Sequence, residues 1–89
     1  MSAMLITYDL HSPGQNYEAV HEKIKELGEW WHFLESTWIV VTTKTASAVW
    51  DHLAGACDKN DSFLIVNITS DSYSGWLPQA AWDWLRKHV

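Results

Sequence analysis

Short apolar runs alternate along the chain with segments in which apolar residues recur every three or four positions. The run Met4–Leu10 is rich in β-forming residues and is followed by HSPG, a strong turn signal. Residues 17–27 have helical spacing, with Asn16 as a candidate N-cap and Gly28 directly after the last apolar position. The first part of the chain therefore predicts a strand followed by a helix.

Two extended segments, Glu29–Leu34 and Thr37–Thr43, come next and are rich in aromatic and β-branched residues. The break between them, Glu35–Ser36, has no Asn-Gly or Asp-Gly pair, so a tight hairpin and a bulge both remain open. Both segments are typical of neighbouring strands.

The second half of the chain predicts two more helices around a strand. Thr43 or Thr45 caps the helix before this strand. That helix has one apolar stripe: Ala46, Val49, Trp50, Leu53 and Cys57. The apolar run Ser62–Thr69 predicts a strand in the centre of the sheet. Pro78 suits the start of a last helix, whose final turn is basic.

The predicted order is β-α-β-β-α-β with a short C-terminal helix. This order favours one α+β domain over residues 1–89, a ferredoxin-like antiparallel sheet with two helices on one face. The other face of such a sheet is available to a partner.

Composition narrows the classes of partner and compartment. Six Lys and Arg against 11 Asp and Glu give a net charge of −5. This charge argues against a protein whose whole surface binds the phosphate backbone of a nucleic acid. One cysteine excludes an intramolecular disulfide and fits a reducing compartment. No apolar run approaches the ~18–20 residues of a membrane span. A cytoplasmic protein with no membrane association is predicted.

Seven tryptophans in 89 residues are too many for the core of so small a domain. Several are expected at a homo-oligomer interface or at the edge of the core, with base stacking and ordinary packing as the alternatives. Alternation along the second strand places Trp31 and Phe33 on one face of the sheet and Trp30 and His32 on the other.

Several runs together resemble a known family, namely YDLHSPGQNY, WWHFLESTWIV, NDSFLIV and SGWLP. They are similar to the CRISPR-associated endoribonuclease superfamily. This superfamily includes the small ferredoxin-like subunit of the spacer-acquisition complex and the virulence-associated protein D toxins. The similarity is greatest to short stand-alone proteins labelled "SinR family protein". The resemblance covers residues 4–85. It implies a homodimer whose sheets face each other, with the segment Tyr73–Leu77 as a further strand that crosses to the partner.

The resemblance also implies a metal-dependent nuclease. Asp9 matches the aspartate that, one from each subunit, binds Mg²⁺ or Mn²⁺ for phosphodiester cleavage, and Ser36 matches a serine near it. From the residues alone, Asp9 is also a common cap for the following turn, and Ser36 also suits a hydroxyl that satisfies the backbone. His11 is either a general acid or base or a solvated loop residue.

Two other candidate sites are weaker in the sequence. Asp71, in the polar loop after the last long strand, either adds a carboxylate to the Asp9 site or is solvated. The five histidines lack the spacing of a structural zinc site.

Three functions fit the sequence. The first is a metal-dependent nuclease that acts on RNA or DNA through Asp9 of both subunits, with RNA favoured over duplex DNA because of the negative net charge. The second is a non-catalytic dimer that binds a nucleic acid or a protein. The third is a component of a toxin–antitoxin pair.

Overall fold

The computed structural model describes residues 1–10, 17–57 and 60–89, which form one antiparallel sheet and three helices. The strands are β1 (Ser2–Asp9), β2 (Glu29–Leu34), β3 (Thr37–Thr42) and β4 (Ser62–Asn67); the helices are α1 (Tyr17–Lys25), α2 (Ala46–Ala54) and α3 (Gln79–His88). The strand order is β2-β3-β1-β4. The predicted α+β class is therefore confirmed. Within these residues no helix has the length and apolar content to cross a membrane.

The main core lies between one face of the sheet and helices α1 and α2. Alternate residues of β1 and β3 face these helices, because successive side chains of a strand point to opposite faces. The buried members of this core are Met4, Ile6, Tyr8, Val20, Ile24, Leu27, Trp38, Val40, Val49 and Leu53. Two helices share one face of the sheet, as the sequence predicts.

Helix α3 packs on the opposite face and forms a second, smaller core. Ala81 and Leu85 contact Ala3, Trp31 and Ile39 there. The Trp31 indole N–H donates to the Ala81 carbonyl oxygen at 3.3 Å. The second face, expected to be open, is therefore covered at one end.

Strand β4 is an edge strand, and the prediction that it is central was wrong. On β4, Leu64 lies opposite Thr7 and Val66 lies opposite Leu5, all on the face that α3 only partly covers. Leu64 is 60% exposed and Val66 is 39% exposed. A continuous apolar run predicts a strand that is buried on both faces. In β4, the face that carries Leu64 and Val66 is instead exposed.

The β2–β3 connection combines both alternatives left open by the sequence. Glu35 and Ser36 form a two-residue turn between the strands. The pairing register also shifts by one residue between Trp31 and Leu34. Such an irregularity changes the direction of nearby side chains, and His32 lies within it.

The aromatic alternation on β2 is confirmed by ring contacts. Trp31 and Phe33 lie 5.3 Å apart between ring centroids. Trp30 and His32 instead contact Trp38 on the helix side of the sheet. The two tryptophans of β2 therefore belong to opposite faces.

Two helix boundaries explain how the chain turns between layers. Thr45, not Thr43, caps α2, and its hydroxyl accepts a hydrogen bond from the Ala48 N–H at 3.1 Å. Gly28 has φ +152°, and a Cβ there would lie 2.1 Å from the Val41 carbonyl oxygen. Only glycine fits this close approach. The predicted cap at Asn16 lies outside the described residues.

Candidate functional site

The exposed end of β1 lies beside the β2–β3 turn. Asp9, the last residue of β1, has an exposed side chain. The Ser36 carbonyl oxygen accepts a hydrogen bond from the Tyr8 backbone N–H at 3.1 Å, which holds the turn against the strand. Asp9 and Ser36 line one open cleft of ≈ 220 Å³ together with Ser62. The structure therefore brings these two candidate residues together.

The other two sequence candidates are not part of this arrangement. His11 lies outside the described residues. Asp71 lies in the loop after β4 and lines an apolar pocket beside α3 with Leu5 and Trp82. It lines neither of the clefts that contain Asp9, so the structure does not bring this carboxylate to the site.

The oxygen donors near Asp9 suit a hard divalent cation such as Mg²⁺ or Mn²⁺. The Asp9 carboxylate is exposed, and the hydroxyl-bearing residues Ser36 and Ser62 line the same cleft. Among the described residues, no group of three or more His, Cys, Asp or Glu side chains is placed to hold a metal. Asp9 is the one acidic residue among the described residues that line this cleft.

A larger cleft opens from Asp9 toward the helix side of the sheet. Its volume is ≈ 520 Å³. We call it the histidine cleft, and it is lined by Tyr8, Asp9, Leu10, Tyr17, His21, His32, Glu35 and Ser36. The last residues of β1, the β2–β3 turn and the start of α1 therefore converge on one opening.

A chain of hydrogen bonds forms the floor of the histidine cleft. The Trp38 indole N–H can only donate, so the Tyr8 oxygen accepts it at 3.2 Å. The Tyr8 oxygen also lies within hydrogen-bond distance of His21 Nε2, at 2.9 Å. In the tautomer that carries its proton on Nδ1, the neutral His21 ring accepts the Tyr8 hydroxyl proton at Nε2.

His32 is held in a fixed orientation beside this chain. Its ring stacks on Trp38 with centroids 3.8 Å apart and an interplanar angle of 13°. Its Nε2 lies 3.0 Å from the Glu35 carbonyl oxygen, which can only accept, so Nε2 carries the proton. The neutral ring therefore has its lone pair on Nδ1. The His21 and His32 rings meet edge to face at 5.3 Å.

Burial keeps both hydrogen-bonded partners in their uncharged forms. Desolvation lowers the pKa of His21, and electrostatic interactions with His32 and Lys25 lower it further. Desolvation likewise raises the pKa of the Tyr8 phenol. At neutral pH, His21 is uncharged and Tyr8 keeps its proton, so the chain of hydrogen bonds is complete.

Sequence reasoning missed the residues of this cleft apart from Asp9 and Ser36. One signal was available: His21 follows Tyr17 by four positions on the predicted helix, so the two rings share a face. Their centroids lie 6.2 Å apart. No spacing rule, however, relates α1 to His32 on β2, because tertiary packing alone brings them together.

Comparisons with protein-family models and with curated protein sequences find no match to this chain. An exposed strand-end carboxylate, a neighbouring hydroxyl and a cleft of aromatic and imidazole rings lie at one end of the sheet.

Proposed function

We propose that the chain is a homodimeric, metal-dependent endoribonuclease of the CRISPR-associated endoribonuclease type, acting through Asp9 of both subunits. One observation carries the proposal. Asp9 stands at the exposed end of β1, and alternation places its side chain on the same face as Thr7, opposite which Leu64 lies exposed. A dimer that covers this face brings the two Asp9 residues toward each other.

The strand order supports a ferredoxin-like fold. Counted from the β4 edge, the order is β4-β1-β3-β2, and all three pairings are antiparallel. A split β-α-β arrangement, in which β3 lies between β1 and β2, has this order. The helix α3 on the second face is an addition to that plan.

Exposed apolar side chains support a homodimer as the partner of the second face. Leu64, Val66 and Phe33 are exposed on it, and Trp76, in the segment before α3, is 98% exposed. Large apolar side chains exposed on one face are typical of interaction sites. A second copy presents the same surface, as a two-fold dimer requires.

The chemistry would be hydrolysis of one P–O bond of the RNA backbone. Asp9 from each copy would hold Mg²⁺ or Mn²⁺, an ion that supplies positive charge at the phosphate and lowers the pKa of bound water. Ser36 lines the same cleft, and its hydroxyl would hydrogen-bond a phosphate oxygen. In this scheme Asp9 would bind the metal ion and Ser36 would orient the phosphate.

The distribution of positive charge supports single-stranded RNA over duplex DNA. The two lysines of α1 already have partners: Lys23 lies 3.7 Å from Glu26, and Lys25 lies over the Trp30 ring at 5.1 Å. The net charge of the chain is −5. Duplex binding rests on rows of phosphate contacts, which this helix does not provide.

The test is cleavage of end-labelled single-stranded RNA and duplex DNA with Mg²⁺ or Mn²⁺. Asp9→Asn should abolish cleavage of RNA, and a chelator should do the same. Asp51→Asn, which removes an equally exposed carboxylate from α2, is the matched control and should cleave like the wild type. Equal cleavage by wild type and Asp9→Asn would contradict the proposal.

The dimer is tested separately by sedimentation. Leu64→Glu places a charge on the exposed apolar face and should yield monomers without cleavage activity. Thr43→Glu adds the same charge at an exposed position between β3 and α2 and should remain dimeric. A wild-type monomer at all concentrations would contradict the shared site.

A non-catalytic dimer that binds a nucleic acid or a protein is the second candidate. The observation that favours it is the single carboxylate that each copy contributes, with no further metal-ligand cluster among the described residues. Absence of cleavage with either metal by a dimeric protein would select it. Slowed growth on expression, abolished by Asp9→Ala, would instead favour the toxin-like role.

A further inference from the structure

Aromatic and imidazole rings in mutual contact line the histidine cleft. His21 contacts both Tyr17 and His32 edge to face, at 6.2 Å and 5.3 Å. Tyr17 is half exposed, and one face of His32 is fixed by its stack on buried Trp38. Planar rings held in this way provide stacking surfaces, because little side-chain freedom remains to be lost on binding.

The polar groups of the cleft are acceptors rather than cations. Asp9 and Glu35 are the two acidic residues that line it, and none of the described lining residues is Lys or Arg. The negative charge of Glu35 reaches the cleft floor, since it contributes to raising the pKa of Tyr8. A phosphate would be repelled here, whereas the N–H edge of a planar base would be attracted.

The cleft is also of a size that accepts a base. Its volume is ≈ 520 Å³, and small-molecule sites commonly occupy about 300–1,000 Å³. The phosphates of a strand bound in this way would lie outside, toward Asp9 and Ser36 at the mouth. The base cleft and the proposed cleavage site therefore share the end of β1.

We propose that the histidine cleft binds a guanine base, stacked on its rings with the base N–H edge on the Glu35 carboxylate. Guanine presents two adjacent donors, N1–H and the N2 amino group, which match the two oxygens of one carboxylate. Adenine and cytosine present an amino donor beside a ring acceptor. Uracil presents one N–H between two carbonyl oxygens that the carboxylate repels.

This inference deepens the proposed function by naming the preferred base at the same site, and it rests on that function for the RNA substrate. Base binding itself needs neither cleavage nor metal. It is measured by NMR titration of the full chain with guanosine 5′-monophosphate in the presence of a chelator. Adenosine, cytidine and uridine 5′-monophosphates are the comparison ligands.

The wild type should bind the guanine nucleotide at least about tenfold more tightly than the uracil nucleotide. Glu35→Gln should weaken guanine binding by about tenfold, because one N–H then faces an amide NH₂ in place of an acceptor. Glu18→Gln, which removes an exposed carboxylate from the first turn of α1, should bind like the wild type. Tyr17→Ala should weaken all four nucleotides by about fivefold or more.

Equal affinity for the four nucleotides, no binding at millimolar concentration, or an unchanged affinity of Glu35→Gln would overturn the inference. Glu35 is exposed in a turn, so its variant is expected to fold, and its thermal unfolding provides the check. RNA cleavage without guanine binding would remove the base site and leave the nuclease proposal standing. Guanine binding without RNA cleavage would leave the base site standing and remove the nuclease proposal.

Discussion

Replacing Tyr8 by phenylalanine removes one oxygen atom from the floor of the histidine cleft. That oxygen accepts the Trp38 indole N–H at 3.2 Å and lies 2.9 Å from His21 Nε2. The ring itself stays in place, because it packs against Phe63 with centroids 5.2 Å apart. The variant thus isolates the two hydrogen bonds from the packing of the aromatic ring.

The cost is set mainly by the Trp38 indole. Trp38 is 1% exposed and Tyr8 is 4% exposed, so water does not replace the lost acceptor. His21 is only partly buried and can bind water instead. An unsatisfied buried donor costs about 1–3 kcal/mol, which is the expected loss in free energy of unfolding. For a chain of this size, the midpoint of thermal unfolding should fall by roughly 5–20 °C.

The assay is equilibrium unfolding in urea of the wild type, Tyr8→Phe and Tyr17→Phe. The Tyr17 control loses the same hydroxyl from a ring that is 50% exposed, and its stability should change by less than about 0.5 kcal/mol. The reasoning is refuted if Tyr8→Phe also stays within about 0.5 kcal/mol of the wild type. Equal losses in the two variants would also refute it, since burial would then not set the cost.

Three further predictions concern glycine geometry, pH and thiol reactivity. Gly28→Ala should destabilise the fold by about 2 kcal/mol or more, because of its positive φ and the clash with Val41. Gly55→Ala, at φ −67° with open space around it, should stabilise by roughly 0.4–1 kcal/mol in the same urea assay. Because the folded-state pKa of His21 is lowered, the unfolded chain takes up the proton first, so stability should fall from pH 7 to pH 5. His21→Gln should reduce that fall, and an unchanged slope would contradict this account. Burial raises the pKa of Cys57 to about 11, so its reaction with a disulfide reagent at pH 8 should be much slower in the folded chain than in urea; equal rates would contradict it.

Local pattern was sufficient for most elements of the fold. The helical spacing before Gly28 and the hydroxyl at Thr45 locate α1 and α2, because these signals act within a few residues. The place of β4 in the sheet was missed. Its apolar run is the same for a strand buried on both faces and for one that exposes Leu64 and Val66. Periodicity does not distinguish those cases.

Only the site residues that a local sequence motif marks could be predicted from the sequence. Asp9 and Ser36 were singled out by resemblance, and the structure places both at one cleft. The rings of His21 and His32 come from different elements, α1 and β2, and meet through the packing of α1 on the sheet. No single-sequence rule gives that contact, so the histidine cleft emerges only from the fold.

The central position of β1 has a consequence for the order of folding during synthesis. Met4 pairs with Val40 on one side and with Asn67 on the other, so the first strand made is completed last. Until β4 emerges from the ribosome, one edge of β1 is unpaired and open to strands of other chains. Such long-range pairing also slows folding relative to helical proteins of similar length. Truncated chains that end before β4 should therefore be the form of this protein most dependent on chaperones.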